Sequence, residues 1–256
     1  TYLGAGPESL EKLIEHAPAK AEKPMFIIGQ GALNRPDGAA ILAMAAKAAA
    51  AIGVVKDGWN GFNILHTEAG LVGALDIGFV PGEGGLDTGA MLAPGAVDVL
   101  FNLGADEVDV PAGAFVIYQG THGDRGAHRA DVILPGAAYT EKSATYVNTE
   151  GRVQMTNRAG FPPGDAREDW AVIRALSEAL GKKLPYDSLA QLRAALYAAH
   201  PHFAALEQVA PGDASAIAGL AKLKGKAGKA PFESPVKAFH LTNAIARASK
   251  IMAECR

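Results

Sequence analysis

The chain has 256 residues, of which 49% are hydrophobic, and a formal net charge of −3 at pH 7. This composition is typical of a globular protein with a sizeable core, and it argues against a disordered chain and against a basic nucleic-acid-binding surface. The single cysteine, Cys255, excludes an internal disulfide and an iron–sulfur cluster, which requires about four thiolate ligands.

A short helix and a linker are predicted at the start of the chain. Apolar residues at i, i+3, i+4 spacing indicate a helix over residues 8–16, and residues 17–23 follow as a linker. The first residue is Thr1 rather than Met, and no signal-peptide pattern follows it. We therefore expect this end to be a cut end.

A β-turn-α unit follows the linker. Residues 25–28 predict a buried strand, residues 29–31 a tight turn with a glycine at each end, and residues 38–52 a helix. The longest apolar run, 39–52, contains Lys47 and is shorter than the roughly 20 residues needed to span a bilayer. No transmembrane helix is therefore expected.

Four further apolar runs predict buried parallel strands. Near-continuous apolar runs of this length are typical of strands that are covered on both faces. The runs are residues 63–65, 97–103, 114–118 and 131–134. We expect an α/β fold with a doubly wound, mostly parallel sheet. The glycine-rich block between the first two runs predicts loop around one short helix near residues 69–75.

After residue 164 the pattern becomes helical. Asp165 and Glu168 have the spacing of a capping box, and Ser188 with Gln191 begins a second helix. The first of these helices has an apolar stripe that we expect to cover the α/β domain or a partner. Its members are Trp170, Ile173, Leu176 and Leu180.

These patterns divide the chain into three parts. Residues 1–23 are the end of a preceding segment and a linker, residues 24–164 are the α/β domain, and residues 165–256 are a helical C-terminal region. Within the last part, residues 213–235 are rich in Lys, Gly and Pro and are predicted to be mobile.

Several motifs of the chain occur in the same order in one known superfamily. The most particular is Tyr139-Thr-Glu-Lys-Ser-Ala-Thr-Tyr-Val-Asn-Thr-Glu-Gly-Arg152, and residues 24–33, 100–107 and 118–128 are similar to other family segments. In this combination the chain resembles the C-terminal portion of the large iron–sulfur subunits of respiratory NADH:quinone oxidoreductase (complex I), within the molybdopterin oxidoreductase superfamily. This resemblance also implies a molybdopterin-oxidoreductase-like α/β domain.

The resemblance implies a structural and assembly role in the peripheral arm of complex I, which transfers electrons from NADH to quinone coupled to proton translocation. It implies other peripheral-arm subunits as partners, iron–sulfur clusters upstream of this chain, and no catalytic residue, metal or cofactor in the chain itself. The implied location is the cytoplasmic face of the bacterial inner membrane or the matrix face of the mitochondrial inner membrane. The alternative is a fragment of a catalytic molybdopterin-dependent oxidoreductase that resembles formate dehydrogenase.

Gly29 and Gly31 follow a predicted strand, where glycines allow backbone N–H groups to approach a pyrophosphate. The third glycine of a dinucleotide fingerprint is missing, because position 34 is Asn34. We therefore favour a β–α turn without a ligand over a dinucleotide site. The incomplete fingerprint also argues against a free nucleotide-binding dehydrogenase.

The loop at 122–128 contains His122, Asp124, Arg125 and His128, which leaves a metal or phosphate site open as an interpretation. The spacing of the two histidines does not place them on one helical turn, and no cysteine completes a coordination sphere. We favour a loop that leads into a helix, with Asp124 or His122 as the N-cap.

Glu141, Asn148, Glu150 and Arg152 form the last candidate group. Such residues suit the edges and phosphates of a pterin-guanine dinucleotide, and the alternative is a hydrogen-bond network that only fixes the loop. The resemblance to a molybdoenzyme that has lost its metal favours the second. With Gly29, Gly31 and His122, these four are candidates for a vestigial pterin site.

Overall fold

The computed structural model of the chain describes residues 21–210 and 212–255. In chain order the strands are β1 (Phe26–Gly29), β2 (Val55–Lys56), β3 (Trp59–Asn60), β4 (Phe62–Leu65), β5 (Val99–Leu103), β6 (Phe115–Gly120), β7 (Val132–Pro135), β8 (Thr145–Val147) and β9 (Val153–Met155). The predicted helix at residues 8–16 lies outside the described residues.

The helices are mostly short. They are α1 (Gln30–Leu33), α2 (Gly38–Ala51), α3 (Leu71–Asp76), α4 (Thr88–Met91), α5 (Arg125–His128), α6 (Asp169–Ala179), α7 (Leu189–Ala199), α8 (Ala214–Leu220), α9 (Ala244–Ala248) and α10 (Lys250–Glu254). Two 3₁₀ turns lie at Pro201–Ala204 and Phe239–Leu241. None of the helices in the described ranges is long and apolar enough to cross a membrane.

The chain forms two compact units, each assembled from separate stretches of sequence. Unit one consists of the described residues within 1–73, 147–152 and 207–237. Unit two consists of residues 74–146, 153–206 and 238–256, of which the last residue is not described. The division expected from the sequence, with a boundary after residue 164, does not coincide with these units, because both of them draw on the C-terminal part.

Unit one is built on the parallel strands β1 and β4 and the long helix α2. Phe26 on β1 is in register with Phe62 on β4, and their rings stack with centroids 6.2 Å apart. The core contains four buried residues, with both phenylalanines packed against it: Ala46, Ala49, Val54 and Ile217. Because α2 presents alanines, α8 packs closely against it.

Unit two contains a three-stranded parallel sheet in the order β5, β6, β7. Its central strand contributes Val116 and Tyr118, which are almost completely buried, and Gln119 is buried as well. Helix α5 lies close to the sheet at Gly126, where an added Cβ would be 2.9 Å from the side-chain nitrogen of Asn102. Only glycine allows this approach.

The α/β prediction with mostly parallel strands is confirmed. The strands predicted at residues 25–28, 63–65, 97–103, 114–118 and 131–134 are present as β1, β4, β5, β6 and β7. They lie in two sheets, one in each unit, rather than in one. The apolar runs fix which segments become strands, but they do not specify which strands pair.

Two helix starts test the capping predictions. Ser188 caps α7 as predicted, because its hydroxyl accepts a hydrogen bond from the backbone N–H of Gln191 at 3.2 Å. The predicted capping box at Asp165 is wrong: the N-cap of α6 is Glu168, and its carboxylate accepts a hydrogen bond from the Trp170 ring at 2.7 Å instead. A side-chain donor thus takes the place of the backbone N–H.

Helix α6 is less buried than its apolar stripe suggests. Trp170, Ile173 and Leu176 are half-buried, whereas Leu180 is 71% exposed because the helix ends before it. The buried residue of this helix is Arg174, which forms ion pairs with Glu178 and Asp187. A charged network therefore replaces part of the expected apolar contact.

The block between β4 and β5 contains α3, close to the helix predicted near residues 69–75, and also α4, which the sequence did not indicate. Asp87 is the N-cap of α4 and accepts a hydrogen bond from the backbone N–H of Ala90 at 2.8 Å. The predicted mobility of residues 213–235 stays a prediction. Its first part is the packed helix α8, whose N-cap is Asp213.

Candidate functional site

The end of β1 is the first candidate site, because ligands of α/β proteins bind at the carboxyl ends of parallel strands. The predicted tight turn at residues 29–31 is wrong in detail, since Gly29 is the N-cap of the one-turn helix α1 and Gly31 lies inside that helix. The long helix α2 begins only at Gly38. The strand therefore does not lead through a glycine turn directly into a long helix.

The space above Gly31 is occupied by the chain itself. A Cβ on Gly31 would be 2.6 Å from the carbonyl oxygen of Glu233 and 2.7 Å from the Pro235 ring. Contacts this short do not occur between real atoms, so the segment must lie directly on the glycine. We call residues 228–235 the strap.

Arg35 and Asp37 attach the strap to unit one. The Arg35 guanidinium donates hydrogen bonds to the carbonyl oxygens of Pro231 at 3.0 Å and Ala230 at 3.1 Å, and it also lies 5.2 Å from the Phe232 ring centroid. The Asp37 carboxylate is the ion-pair partner of Arg35 at 2.7 Å. One planar guanidinium therefore binds two backbone carbonyls, a carboxylate and a ring.

Asp37 adds a second attachment, because its other carboxylate oxygen accepts a hydrogen bond from the backbone N–H of Gly228 at 2.7 Å. The hydrogen bond from Arg35 and the one from Gly228 hold the pKa of Asp37 below its ordinary value. The side chains of Arg35 and Asp37 are only 13% and 12% exposed. The carboxylate thus stays charged while it fixes the strap.

The loop at 121–128 lies after β6 in unit two. Asp124 is the N-cap of α5 and accepts a hydrogen bond from the backbone N–H of Arg125 at 2.9 Å, which confirms the capping interpretation. His122 is exposed, and its Nδ1 lies 2.9 Å from the Thr121 hydroxyl. In residues 21–210 and 212–255, no group of three or more His, Cys, Asp or Glu side chains is placed to hold a metal ion.

The C-terminal residues of unit two close over this loop. Arg247 on α9 forms ion pairs with Asp124 and, at 3.1 Å, with Glu107, and it donates to the Leu241 carbonyl at 3.0 Å. Burial raises the pKa of Asp124, but hydrogen bonds from Arg247 and from the Arg125 backbone lower it more, so its pKa lies below the ordinary value.

Tyr118 lies beneath the same region and donates a hydrogen bond to the Asp106 carboxylate. Burial, followed by this hydrogen bond and the negative charge of Asp106, raises the pKa of the Tyr118 hydroxyl above its ordinary range. Tyr118 is therefore a fixed donor rather than a proton-transfer group.

The loop between β8 and β9 brings together three of the predicted residues. The Asn148 side-chain oxygen accepts hydrogen bonds from the backbone N–H groups of Glu150 at 3.1 Å and Arg152 at 2.9 Å. Glu150 and Arg152 form an ion pair at 2.8 Å, and the hydrogen bond from Arg152 holds the pKa of Glu150 below its ordinary value. Arg152 also donates to the Glu207 carbonyl.

Glu141, in unit two, accepts a hydrogen bond from the Ala138 backbone N–H at 3.0 Å. Its neighbour Lys142 pairs with Asp169, which also accepts a hydrogen bond from the buried Gln119 side chain at 3.0 Å. The sequence did not mark this group, because its three residues lie far apart along the chain.

The predicted site residues are thus divided between the units. His122 and Glu141 lie in unit two, whereas the other five lie in unit one: Gly29, Gly31, Asn148, Glu150 and Arg152. In unit one, Gly31 contacts the strap, while the polar loop bonds within itself and to Glu207. A shared vestigial pterin pocket stays a prediction.

Comparison with known proteins places the chain. The sequence model of the molybdopterin oxidoreductase family matches residues 1–179. The chain belongs to this family. A second model, which describes a C-terminal region of NADH-ubiquinone oxidoreductase, matches residues 205–255, and these include the strap and Arg247.

Curated relatives agree with both matches. The mitochondrial NADH-ubiquinone oxidoreductase 78 kDa subunit of Candida albicans is 42% identical over 100% of this chain and 36% of its own length. The NADH-ubiquinone oxidoreductase 75 kDa subunit of Reclinomonas americana is 43% identical over 92% of this chain and 34% of its own length. The resemblance to these large subunits is confirmed, and this member of the molybdopterin oxidoreductase family spans about a third of their length.

Proposed function

We propose that this chain is a structural and assembly domain of the large subunit of NADH:quinone oxidoreductase. In this proposal the whole enzyme transfers electrons from NADH to quinone coupled to proton translocation. The electron carriers of the subunit, its iron–sulfur clusters, lie in a part that this chain does not contain. The chain itself supplies no catalytic residue, binds no cofactor or metal, and contacts other subunits of the peripheral arm.

The strap is the single observation that carries the structural role. A dinucleotide or pterin phosphate would need the backbone at the end of β1, and the chain covers Gly31 there with Glu233 and Pro235. The attachment uses Arg35 and Asp37, which would otherwise be available to a phosphate. This member of the molybdopterin oxidoreductase family thus uses the position for its own folding.

The polar loop supports the same role. Asn148 accepts two backbone hydrogen bonds, and Glu150 and Arg152 neutralise each other. Each polar group is therefore engaged in shaping the loop, which is how a structural network differs from a ligand site that awaits its partner.

The location follows from the relatives, two of which are mitochondrial subunits. We expect a peripheral association with the membrane through partner subunits, on the matrix face of the mitochondrial inner membrane or the cytoplasmic face of the bacterial inner membrane.

Metal and cofactor analysis of the purified full-length subunit tests the proposal against the molybdopterin-dependent alternative. We expect iron from the clusters but no stoichiometric molybdenum, and no pterin fluorescence after acid oxidation. Stoichiometric molybdenum or a recovered pterin would favour a catalytic fragment that resembles formate dehydrogenase.

A substitution in the loop tests the assembly role directly. Arg152→Ala should lower the yield of assembled complex on native gels while NADH:quinone turnover per assembled complex stays near normal. The control is Lys47→Ala, which removes a charge from the exposed face of α2 and should change neither quantity. A normal yield with abolished turnover would contradict the proposal.

A further inference from the structure

Unit two contains a groove on both sides of Trp170 that the proposed function does not use. Two adjoining cavities of about 790 and 370 Å³ share the side chains of Ser143, Glu168, Trp170 and Leu189. We call this surface the Trp170 groove. It is formed by the starts of α6 and α7 and by the neighbouring segments of the chain.

Apolar side chains contribute much of the groove. Leu189, Leu192 and Leu196 lie along one side of α7, and Tyr146 contributes from β8. At the far end, Phe161 is 79% exposed. An apolar surface of this kind, with polar groups around it, is typical of an interaction site.

The charges of the groove are unequal. Four cationic side chains line it against two carboxylates: Lys142, Arg158, Arg167 and Arg193 against Glu168 and Asp169. Both carboxylates are engaged, Glu168 by the Trp170 ring nitrogen and Asp169 by Lys142. Within the described residues, the three arginines have no carboxylate partner.

Arg193 is the strongest indication of a missing partner. Its Nε and one terminal nitrogen are buried from solvent, and neither has a hydrogen-bond acceptor in the part of the chain that the structure describes. Buried N–H groups of a guanidinium are rarely left without an acceptor, because their desolvation is costly. Arg158, in comparison, stacks on the Phe161 ring at 4.3 Å, and Arg167 bonds to backbone carbonyls.

We propose that the Trp170 groove binds an acidic, partly apolar segment of another polypeptide, with one of its carboxylates accepting hydrogen bonds from Arg193. Charge complementarity selects this partner, since the groove of a chain with net charge −3 offers three unpaired arginines. Its apolar side would lie on the leucines of α7. The inference rests on the proposed role of the chain in an assembly.

Site-directed photo-crosslinking in the purified, assembled enzyme tests the proposal. A photo-reactive phenylalanine analogue replaces Leu189, and mass spectrometry identifies the cross-linked peptide. We expect a peptide of another subunit that contains Glu or Asp next to apolar residues. A cross-link to a neutral or basic segment, to lipid or to this chain itself would overturn the proposal, as would no cross-link in a complex that contains the subunit.

Variants of Arg193 separate binding from folding. Arg193→Leu removes an unpartnered guanidinium, so the isolated 256-residue chain should melt at the same temperature or higher. The same variant should weaken binding of the synthetic cross-linked peptide by roughly thirtyfold or more, because a buried carboxylate would lose its partner. An isolated chain that is destabilised, or that binds the peptide with unchanged affinity, would contradict the proposal.

Charge reversal provides the matched control. Arg193→Glu should abolish peptide binding, whereas Lys182→Glu, an identical charge change at an exposed residue outside the groove, should leave it within about twofold. Equal losses in both variants would show that only net charge matters. Absence of the chain from the purified enzyme would refute the proposed function, whereas its presence without peptide binding would refute only this inference.

Discussion

The two units close the ends of their parallel strands in different ways. In unit one, Arg35 binds backbone carbonyls of the strap, and the strap lies directly on Gly31. In unit two, Arg247 closes the loop after β6 through the carboxylates of Asp124 and Glu107. Both covering segments come from residues 205–255, the part that matches the C-terminal region of NADH-ubiquinone oxidoreductase.

The difference teaches that one family-specific segment can cover two strand ends by different physics. The strap depends chiefly on shape and on hydrogen bonds to uncharged carbonyls, which salt does not screen and acid does not protonate. The cover of unit two depends on ion pairs, which salt screens and acid neutralises. Substitutions that crowd Gly31 should therefore affect unit one alone, and loss of charge should affect chiefly unit two.

Crowding at Gly31 should have the largest effect. In Gly31→Ala the new Cβ would meet a backbone carbonyl and a proline ring that cannot rotate away, so we expect a loss of about 3 kcal/mol in the stability of unit one. Trypsin cleavage at Lys229, within the strap, should become faster. Gly29→Ala is the control, because a Cβ there meets nothing within 4 Å. Equal cleavage in both variants would show that the strap is not packed on Gly31.

Loss of Arg247 should have the next largest effect. Arg247→Met keeps much of the side-chain volume but leaves Asp124 without its ion-pair partner, and we expect unit two to lose about 2 kcal/mol. Hydrogen exchange of residues 121–128, followed by mass spectrometry, measures the opening of the loop. Lys250→Met removes the same charge from an exposed position and should leave exchange unchanged. Faster exchange in the strap instead would break the comparison.

A smaller effect is expected for Arg35→Lys. Lysine keeps the charge next to Asp37, but its ammonium cannot reproduce the fork that binds Pro231 and Ala230 together. We expect a loss of about 1 kcal/mol in the local stability of the strap, measured by its hydrogen exchange. An unchanged strap would show that charge alone, rather than the guanidinium geometry, holds it.

The smallest effect is a dependence on acid. The folded state lowers the pKa of Asp124 below the ordinary 3.8, so its contribution to stability is present above that value and is lost as pH falls through the lowered pKa. The difference in denaturant midpoint between wild type and Arg247→Met should therefore shrink below about pH 4. A difference that stays constant from pH 6 to pH 3 would exclude the ion pair as its cause.

Local patterns were enough to predict most of the elements. The strands are short apolar runs, and the Ser188 cap is a side chain that bonds three residues further along, so each depends on neighbours in sequence. The prediction at Asp165 was wrong for a reason that the pattern does not contain. The Glu168 carboxylate bonds to the Trp170 ring rather than to a backbone N–H, and the helix begins four residues later than Asp165.

The sequence by itself determined the family, the parallel α/β elements and the polar residues of the loop at 148–152, because motifs and hydrophobic periodicity are local properties. Only the tertiary structure decided that the strands lie in two sheets, and that residues 228–235 cover Gly31. The bonds from Arg35 to the strap join residues 195 and 196 positions apart. Their acceptors are backbone carbonyls, which every residue has, so no side-chain pattern marks them in advance.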